Sequence, residues 1–403
     1  MYITQVSIGR FHHFHLARQL EKHGLLEAIY SGYPRFKLKD EEGIPPRKIH
    51  TFPWLQAPFM ARGRLGLDRW EWLNREWAWQ AHETLDRYVS RRLRSPTALI
   101  ALSGSGLHVG RRVQALGGVH ICDRGSSHIR VQEELLQEEY GRYGAQWSGI
   151  DSRFIAKEEA EYEQADWISV PSQFCVDSFI AQGIALEKLI RIPYGSRLER
   201  FWPSYTDELR DPEEFRVLFV GCAGPRKGFI DLLKAFSLLQ HPGKRLTLIG
   251  SLSPEAKAYL NANDYPSIEF LGTLANAELR EHYSRATVFV LPSIEEGLGM
   301  VLGEAMACGC PVIASTNTGA LDLIKDGTEG FIVPIRSPER IAERLQQLAD
   351  DPELRDRMGL AALVRVQQLG GWDAYGEAWS NFLRYKTNIP KANHPCQGSG
   401  NIS

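Results

Sequence analysis

The first part of the chain alternates short apolar runs with amphipathic segments of helical spacing. "YITQVSI" predicts a strand, and "HHFHLARQLEKHG" after it has the spacing of a helix that ends at Gly24. "LEAIYSG" predicts the next strand, so the opening is a βαβ unit. Further strands are predicted at 97–106, 117–127, 166–172 and 188–196, with helical segments at 66–94 and 129–164. Residues 37–62 contain prolines and no periodic pattern, so we expect them to be irregular.

The alternation stops in the charged, proline-bearing segment 197–215, which we interpret as a linker between domains. It then restarts, and strands and helices follow one another from "FRVLFVG" to "TEGFIVP". Helices are predicted within 337–369, and "WDAYGEAWSNFLRYK" spaces its aromatic residues as one face of a further helix. The tail 387–403 has little to bury and is expected to be disordered.

Strands that alternate with helices predict parallel sheets covered by helices on both faces. We therefore predict an α/β fold of two doubly wound, Rossmann-like domains with a cleft between them. The N-terminal domain is predicted at 1–200 and the C-terminal domain at 201–370. Ligands of such sheets bind beyond the carboxyl ends of the strands, so the strand-to-helix loops are where chemistry is expected.

The composition excludes several classes of function. The chain has 403 residues and a net charge of −2, so it offers no basic footprint for nucleic acid. Its six cysteines form no C-x-x-C pair, which suits free thiols in a reducing compartment. The sequence contains neither a signal-peptide pattern nor an apolar run of about 18 residues, so we expect a cytoplasmic protein without a transmembrane helix.

The loop "IEEGLG", between the strand "TVFVLPS" and the helix "GMVLGEAMACG", carries the most specific signal. Gly297 and Gly299 allow the backbone to approach a ligand closely. The unpaired amides of Leu298, Met300 and Val301, together with the helix dipole, favour an anion at this point.

The loop "GPRKG", after the strand that ends at Gly221, supplies cations for the same anion. Arg226 or Lys227 would neutralise a phosphate as a charge-assisted donor. A diphosphate repels carboxylates, so Glu296 in the "IEEGLG" loop and Glu304 in the helix after it should bind hydroxyl groups instead. Glu304, one turn into the helix, would bind a ribose, and Glu296 would bind a sugar beyond the diphosphate. Solvated surface acids are the alternative interpretation.

The sequence from "FVGCAGPRKGFIDLLKAF" to "LDLIKDGTEGFIVP" resembles the donor domain of the family 4 retaining glycosyltransferases, which have the GT-B fold. The spacing Glu296-x7-Glu304 between this strand and helix is specific, and the likeness covers 215–335 closely and 165–203 more loosely. The resemblance implies that Glu304 binds the donor ribose, that Glu296 binds the donor sugar and that Lys227 binds phosphate. It also implies that the helix at 371–386 crosses back onto the first domain.

The same resemblance implies an activity. A sugar is transferred with retention from a UDP- or GDP-type nucleoside diphosphate sugar to a saccharide, lipid-linked or small-molecule acceptor, in polysaccharide or glycoconjugate biosynthesis. The first domain then binds the acceptor and the second the donor, whose base lies near the backbone of Gly272 and Thr273. The chain contains no D-x-D pair, so we expect no metal and no additional cofactor.

The chain departs from the family pattern at several positions. Cys222 stands where the family usually has an arginine, and we hypothesise that Arg226 replaces that cation. The first domain offers Asp123 and His128, after one strand, as catalytic candidates that contact the donor sugar. For Asp123 a buried capping role is the alternative.

The acceptor-side candidates lie after other strands of the first domain. Gly9 and Arg10 follow the first strand, and Ser105 follows the strand at 97–106. The tryptophan-rich helix at 66–94 is interpreted as core packing, with peripheral contact to the inner face of a membrane as the alternative. Two other functions are open: a sugar-nucleotide epimerase of the same fold, and a non-catalytic sugar-nucleotide-binding relative.

Overall fold

The computed structural model describes residues 2–39, 41–67, 69–204, 213–263, 265 and 267–386. The predicted disordered tail, 387–403, and part of the predicted linker lie outside this range. The chain divides into two compact units. The first contains the residues up to Cys122, Gln164–Asp166 and the described residues from Gly376 onward, and the second contains Asp123–Glu163 and Trp167–Tyr375. The domain limits proposed from the sequence stay a prediction.

Seven strands of the described residues form the first sheet, in the order β3-β2-β1-β4-β5-β6-β7. They are β1 (Ile3–Ser7), β2 (Leu26–Ser31), β3 (Ile49–Thr51), β4 (Ala98–Leu102), β5 (Val119–Asp123), β6 (Trp167–Val170) and β7 (Leu189–Arg191). Strand β1 pairs in parallel with both β2 and β4. The loops after β1 and β4 therefore lie at the point where the strand order reverses, which is where open α/β sheets bind ligands.

The helices of this half of the chain connect successive strands. They are α1 (His13–Lys22), α2 (Gln56–Ala61), α3 (Glu71–Arg92), α4 (Leu107–Ala115), α5 (Ile129–Arg142), α6 (Ser152–Gln164) and α7 (Gln173–Ala181). Helix α1 forms because Phe14, Leu16, Ala17 and Leu20 recur on one face, and all four are buried. The expectation that 37–62 is irregular was wrong, because β3 and α2 both lie there. Strand β3 is too short to show a hydrophobic period.

The second sheet contains six strands of the described residues, in the order β10-β9-β8-β11-β12-β13. They are β8 (Phe215–Val220), β9 (Lys244–Ile249), β10 (Ile268–Gly272), β11 (Val288–Leu291), β12 (Val312–Ser315) and β13 (Gly330–Val333). Between and after them lie α8 (Phe229–Leu238), α9 (Pro254–Ala262), α10 (Asn276–Arg285), α11 (Met300–Ala307), α12 (Ala320–Leu323), α13 (Pro338–Asp350), α14 (Pro352–Leu369) and α15 (Gly371–Lys386).

The core of the second sheet explains why its pattern could be predicted. Strand β11 reads "VFVL" and is fully buried, because helices cover both of its faces. Its neighbour β8 pairs with it in parallel and is apolar at nearly every position. The strand order reverses between these two strands, so the loops after β8 and β11 are those that a ligand is expected to meet.

Two parallel, helix-covered sheets confirm the predicted α/β fold with two Rossmann-like sheets. Within the described residues, no helix is both long enough and apolar enough to cross a lipid bilayer.

The turn Pro225–Lys227, between β8 and α8, ends at Gly228 in the left-handed region, with φ 64°. A Cβ atom at this residue would lie 2.0 Å from the carbonyl oxygen of Pro292, which follows β11. The close approach of these two backbone segments therefore requires glycine.

The variant Gly228→Ala should lose more stability than Gly66→Ala. Gly66 has nearly the same φ, 65°, but a Cβ added there would meet no heavy atom within 4 Å beyond its chain neighbours. Left-handed strain of about 1–2 kcal/mol is then common to both variants, and only Gly228→Ala adds a steric clash. Urea unfolding measures the difference, and equal losses would contradict the contact with Pro292.

Candidate functional site

The site begins at the loop that joins β11 to α11. Gly299 is the N-cap of α11, with φ 79°, and it has no side chain to accept the amides of the first turn. The amides of Met300 and Val301 are therefore available to an anion, and the helix dipole adds to their effect. Gly297 packs against Gly125, which belongs to the same unit. A Cβ on Gly297 would lie 2.0 Å from the carbonyl oxygen of Gly125.

Cationic side chains from the β8 loop converge on the acid of this loop. The Nζ of Lys227 makes a short hydrogen bond to Oε2 of Glu296. The Nη1 of Arg226 lies 3.3 Å from the same oxygen, and it also donates to the backbone oxygen of Glu295 at 3.0 Å. The side chains of Lys227 and Glu296 are only 11% and 17% exposed. The structure thus brings together three of the residues selected from the sequence.

Glu295, which the sequence did not single out, anchors this cluster. It is completely buried, and its Oε1 accepts hydrogen bonds from Ser126 Oγ at 2.5 Å, Ser127 Oγ at 2.8 Å and Ser127 N at 3.1 Å. Its Oε2 accepts from Gln132 Nε2 at 3.0 Å and lies 3.4 Å from Arg226 Nη1. The carboxylate therefore holds the segment that follows β5 against the segment that follows β11.

The charge state of Glu295 follows from these contacts. Burial alone would raise the pKa of the carboxyl group. The positive charge of Arg226 and the hydrogen bonds from Ser126 and Ser127 outweigh burial and hold the pKa below its usual value. Glu295 is accordingly an ionised carboxylate that is satisfied on both oxygens.

Glu304 has the opposite character. It projects from α11, and Oη of Tyr283 donates a hydrogen bond to its Oε2 at 3.1 Å. Burial raises the pKa of Glu304 to about 7, although the bond from Tyr283 opposes this. Glu304 therefore carries a proton for much of the time near neutral pH, and a polar ligand that adds donors there would favour its ionised form.

The catalytic candidates that follow β5 are both buried. Asp123 ends the strand, and its Oδ1 accepts a hydrogen bond from Ser169 Oγ at 2.7 Å. His128 is the N-cap of α5, where its Nδ1 accepts from the amide of Arg130 at 3.2 Å. Burial, reinforced by the charge of Arg124, lowers the pKa of His128 to about 4, so its imidazole is neutral near pH 7.

The remaining donor-side candidates lie at strand ends of the second sheet. Gly221 follows β8 and donates its amide to Ile249 O at 2.8 Å, while Gly272 ends β10 with φ 69°. Thr273 is exposed after it. Cys222, which replaces the expected arginine, is an exposed free thiol. Arg226 lies in the same turn as Lys227, and its role as the replacement cation stays a prediction.

The acceptor-side candidates occupy the loops after β1 and β4 in the first unit. The carbonyl oxygen of Gly9 accepts a hydrogen bond from Ser7 Oγ at 3.0 Å. Arg10 forms a short ion pair with Glu41. The Oγ of Ser105 is fully buried and lies 2.9 Å from Nδ1 of His82.

Another group in the first unit has the composition of a metal site, namely Glu83, Asp86 and His108. Its members already have protein partners. The carboxylate oxygens of Asp86 accept from the amides of His108 at 3.0 Å and Val109 at 2.8 Å, which caps α4. The Nε2 of His108 lies 2.8 Å from Oε1 of Glu83. Stabilisation of the α3–α4 pair accounts for all three side chains.

Comparison with known families shows which proteins this part of the chain resembles. A model of the family described as "Glycosyl transferases group 1" matches residues 204–364. This part of the chain is therefore similar to a group 1 glycosyltransferase domain. It includes the β8 and β11 loops and α11, so the cluster of Arg226, Lys227 and Glu296 lies inside it. The predicted resemblance is confirmed at the level of this family.

Curated relatives are similar to a longer part of the chain. A GDP-mannose-dependent mannosyltransferase of Corynebacterium glutamicum, named for a monoacylated phosphatidylinositol monomannoside, is 29% identical over 240 residues, with 55% of this chain and 62% of the relative covered. A D-inositol 3-phosphate glycosyltransferase of Streptomyces bingchenggensis is 35% identical over 264 residues, with 58% and 57% covered. The chain thus spans about 57% to 62% of the length of these relatives.

Solved structures resemble the chain over nearly its whole length. Sucrose-phosphate synthase from Thermosynechococcus elongatus has a TM-score of 0.69 at 21% identity, and the match covers 96% of this chain and 99% of that one. HepE of Anabaena, in complex with UDP-glucose, has a TM-score of 0.68 at 16% identity, with 96% and 100% covered. At these identities the likeness shows the fold alone, over nearly the whole chain.

The raised pKa of Glu304 predicts a stability gain in Glu304→Gln at high pH. Its folded pKa of about 7 lies above the ordinary 4.5, so the folded protein loses stability as pH rises from 4.5 to 7, and the loss persists above 7. A shift of this size corresponds to at most ~3 kcal/mol. The unliganded variant should therefore have the higher melting temperature at pH 8, and the gap should close near pH 4.5. A gap that is independent of pH would contradict the assignment.

The variant Glu295→Gln should be destabilised near neutral pH, because the buried Glu295 carboxylate accepts hydrogen bonds from Ser126 and Ser127 that a neutral amide accepts less well. Arg226, which is 41% exposed, also loses one of its two counter-charges. We expect a loss of about 1.5–3 kcal/mol, the usual contribution of hydrogen bonds to a charged group. The folded pKa of Glu295 is lowered, so its contribution is present above the ordinary value of 4.5 and disappears as pH falls. Thermal unfolding at pH 7 and pH 4 should show a gap that narrows in acid.

A matched control for that comparison is Glu353→Gln, since the Glu353 side chain is 90% exposed in the first turn of α14. We expect the control to melt within about 0.5 kcal/mol of the wild type at both pH values. If Glu295→Gln behaves like this control, the carboxylate does not hold the two segments together.

Proposed function

We propose that the protein is a retaining glycosyltransferase that moves a sugar from a nucleoside diphosphate sugar to a saccharide or lipid-linked acceptor. The observation that carries the proposal is the convergence of Lys227 and Arg226 on Glu296. This convergence occurs beside the N-terminus of α11, at the strand-order reversal of the second sheet. Cations, a helix N-terminus and an acid at one point match the needs of a diphosphate that carries a sugar.

The diphosphate is the proposed ligand of the cations. Without a donor, Lys227 and Arg226 form ion pairs with Glu296. These pairs keep the side chains in place before the substrate binds. A bound diphosphate competes for both cations and accepts hydrogen bonds from the amides of Met300 and Val301. As the bond between sugar and phosphate breaks, negative charge develops on the leaving group, and these fixed groups stabilise it.

The acids are proposed to bind the sugar portions of the donor. Once the diphosphate takes the cations, the Glu296 carboxylate is free to accept hydrogen bonds from hydroxyls of the transferred sugar. Glu304 accepts from the ribose diol, whose two hydroxyls favour the ionised form of a group with pKa near 7. The backbone near Gly272 and Thr273 faces the base in this proposal.

Asp123 and His128 have supporting parts in the proposed mechanism. The His128 imidazole is neutral and engaged at Nδ1, so it serves by orienting the segment from Arg124 to Gln132 rather than by carrying charge. Asp123 remains the first-sheet candidate for contact with the donor sugar. No protein nucleophile is proposed. A paired-acid mechanism needs two carboxylates that flank the glycosidic bond. In this proposal Glu296 binds the transferred sugar and Glu304 binds the ribose, so they do not flank that bond.

The relatives supply the range of donors and acceptors to test. One is named for GDP-mannose and a phosphatidylinositol mannoside, another for inositol 3-phosphate, and HepE was solved with UDP-glucose. We therefore propose a UDP- or GDP-sugar donor, transfer without a metal ion, and a role in glycoconjugate or polysaccharide biosynthesis. The proposed location is the cytoplasm, with peripheral contact at the inner face of the membrane.

The variant Glu296→Gln should lose transfer by roughly 100-fold, because a neutral amide is a weaker acceptor for hydroxyls of the reacting sugar. The assay measures nucleoside diphosphate release from a panel of UDP- and GDP-sugars, with glycan and lipid extracts as acceptors. The exposed Glu353→Gln variant serves as the control and should retain the wild-type rate. Full activity in Glu296→Gln, or epimerised donor without transfer, would contradict the proposed function.

A further inference from the structure

The first unit contains a groove that none of the donor-site residues line. Its volume is about 750 Å³, which is within the range of about 300–1,000 Å³ usual for small-molecule sites. The walls are formed by the turn after β2, by the segment around β3 and by the start of α2. Prolines are frequent in the lining and include Pro34, Pro46, Pro53 and Pro58.

The groove is apolar and carries aromatic side chains that are exposed to solvent. Phe36 and Trp54 line it and are 64% and 74% exposed. Leu38 and Ile49, also in the lining, are buried beneath them. Large apolar side chains that remain exposed around a concave surface are typical of a binding site rather than of a surface that is only solvated.

The walls of the groove are held in place before any ligand binds. Arg35 donates a hydrogen bond from Nη1 to Ile49 O at 2.6 Å and another from Nη2 to Pro46 O at 2.9 Å. These bonds join the turn after β2 to the segment around β3. Because proline fixes φ, the proline-rich walls lose little further conformational freedom on binding.

The polar residues of the groove give it positive charge. The guanidinium group of Arg35 is bonded to backbone oxygens rather than to a carboxylate, and Lys39 adds a second cation to the lining. Glu41, the acid among the lining residues, is already paired with Arg10 and, at 2.6 Å, with Arg18. The groove therefore complements a molecule that has an apolar chain and an anionic group.

The position of the groove relates it to the β1 loop. Arg10 lies in that loop, at the strand-order reversal of the first sheet, and Glu41 forms one wall of the groove. The ion pair between them makes the groove continuous with the loop that the sequence assigned to the acceptor.

We propose that this groove binds the hydrocarbon chain of a phosphate-bearing amphiphile, which is the lipid portion of the acceptor. The phosphate lies near Arg35 and Lys39, and the chain covers Phe36 and Trp54. The identification of the amphiphile as the acceptor rests on the proposed function, whereas the binding of the amphiphile to the groove does not. The competing occupant is the surface of an anionic bilayer, which would contact the exposed aromatic side chains without filling the groove.

The test uses hexyl, octyl and decyl phosphate below their micelle-forming concentrations, measured by isothermal titration calorimetry on the full chain. Burial of each methylene group should strengthen binding by about 3–4-fold, so affinity should rise steadily with chain length. Trp54→Ala should weaken binding of decyl phosphate at least 10-fold. Trp72→Ala, at a tryptophan that is 70% exposed and outside the lining, is the matched control and should bind like the wild type.

The charge of the groove is tested separately. Lys39→Gln should weaken decyl phosphate binding and leave binding of uncharged decanol unchanged, since only the phosphate uses the cation. Flotation with phosphatidylglycerol vesicles tests the bilayer alternative. Flotation without binding of monomeric decyl phosphate would overturn the proposal, and so would equal affinities of Trp54→Ala and Trp72→Ala.

Binding of UDP- and GDP-sugars, followed by thermal shift, separates the failure of this proposal from the failure of the proposed function. Trp54→Ala should bind the donor like the wild type, because the groove contains none of the donor-site residues. If alkyl phosphates bind but no donor does, the proposed function fails and the groove stands as an amphiphile site. If a donor binds but alkyl phosphates do not, the inference about the groove is wrong.

Discussion

The arrangement of the loops around Arg226, Lys227 and Glu296 depends on one buried negative charge. Glu295 accepts hydrogen bonds from the segment after β5, contacts Arg226 of the β8 loop, and belongs to the β11 loop itself. Three loops are thus joined through a single carboxylate that water does not reach. Such a group is strongly constrained, since every partner that is lost leaves a buried charge partly unsatisfied.

Glu295 and Glu296 are adjacent in the chain but lie in different electrostatic environments. Glu295 contacts Arg226 through both its backbone oxygen and its carboxylate, while Cys222, where an arginine was expected, is an exposed thiol. Glu296 is partly accessible and interacts with the same cations, which are the groups a diphosphate would seek. Glu304 is a third kind of acid, with a pKa near neutrality because burial raises it more than the hydrogen bond from Tyr283 lowers it. Their environments, and not their residue type, distinguish the three.

The sequence predicted the second sheet well because its strands are continuous apolar runs separated by regular helices, as at β11 and α11. It failed at β3, which has three residues and follows two prolines, so no period could be read. Lys227 and Glu296 could be selected from the sequence because both lie in strand-to-helix loops, but their pairing was not predicted. Glu295 was not, since its partner Ser126 lies 169 positions away and two serines give no signal of their own. The buried, capping state of His128 also depends on tertiary contacts with Tyr162 and Phe179.

The last described helix belongs partly to the unit that begins the chain. From Gly376 onward α15 is part of the first unit, where a Cβ on Gly376 would lie 2.5 Å from Oε1 of Gln19 in α1. Trp379 and Leu383 of this helix are buried. Although domains generally fold in the order of their synthesis, the first unit cannot complete its core until the ribosome has made these residues. The apolar surface that α15 covers therefore lacks this cover on the nascent chain throughout the synthesis of the second sheet.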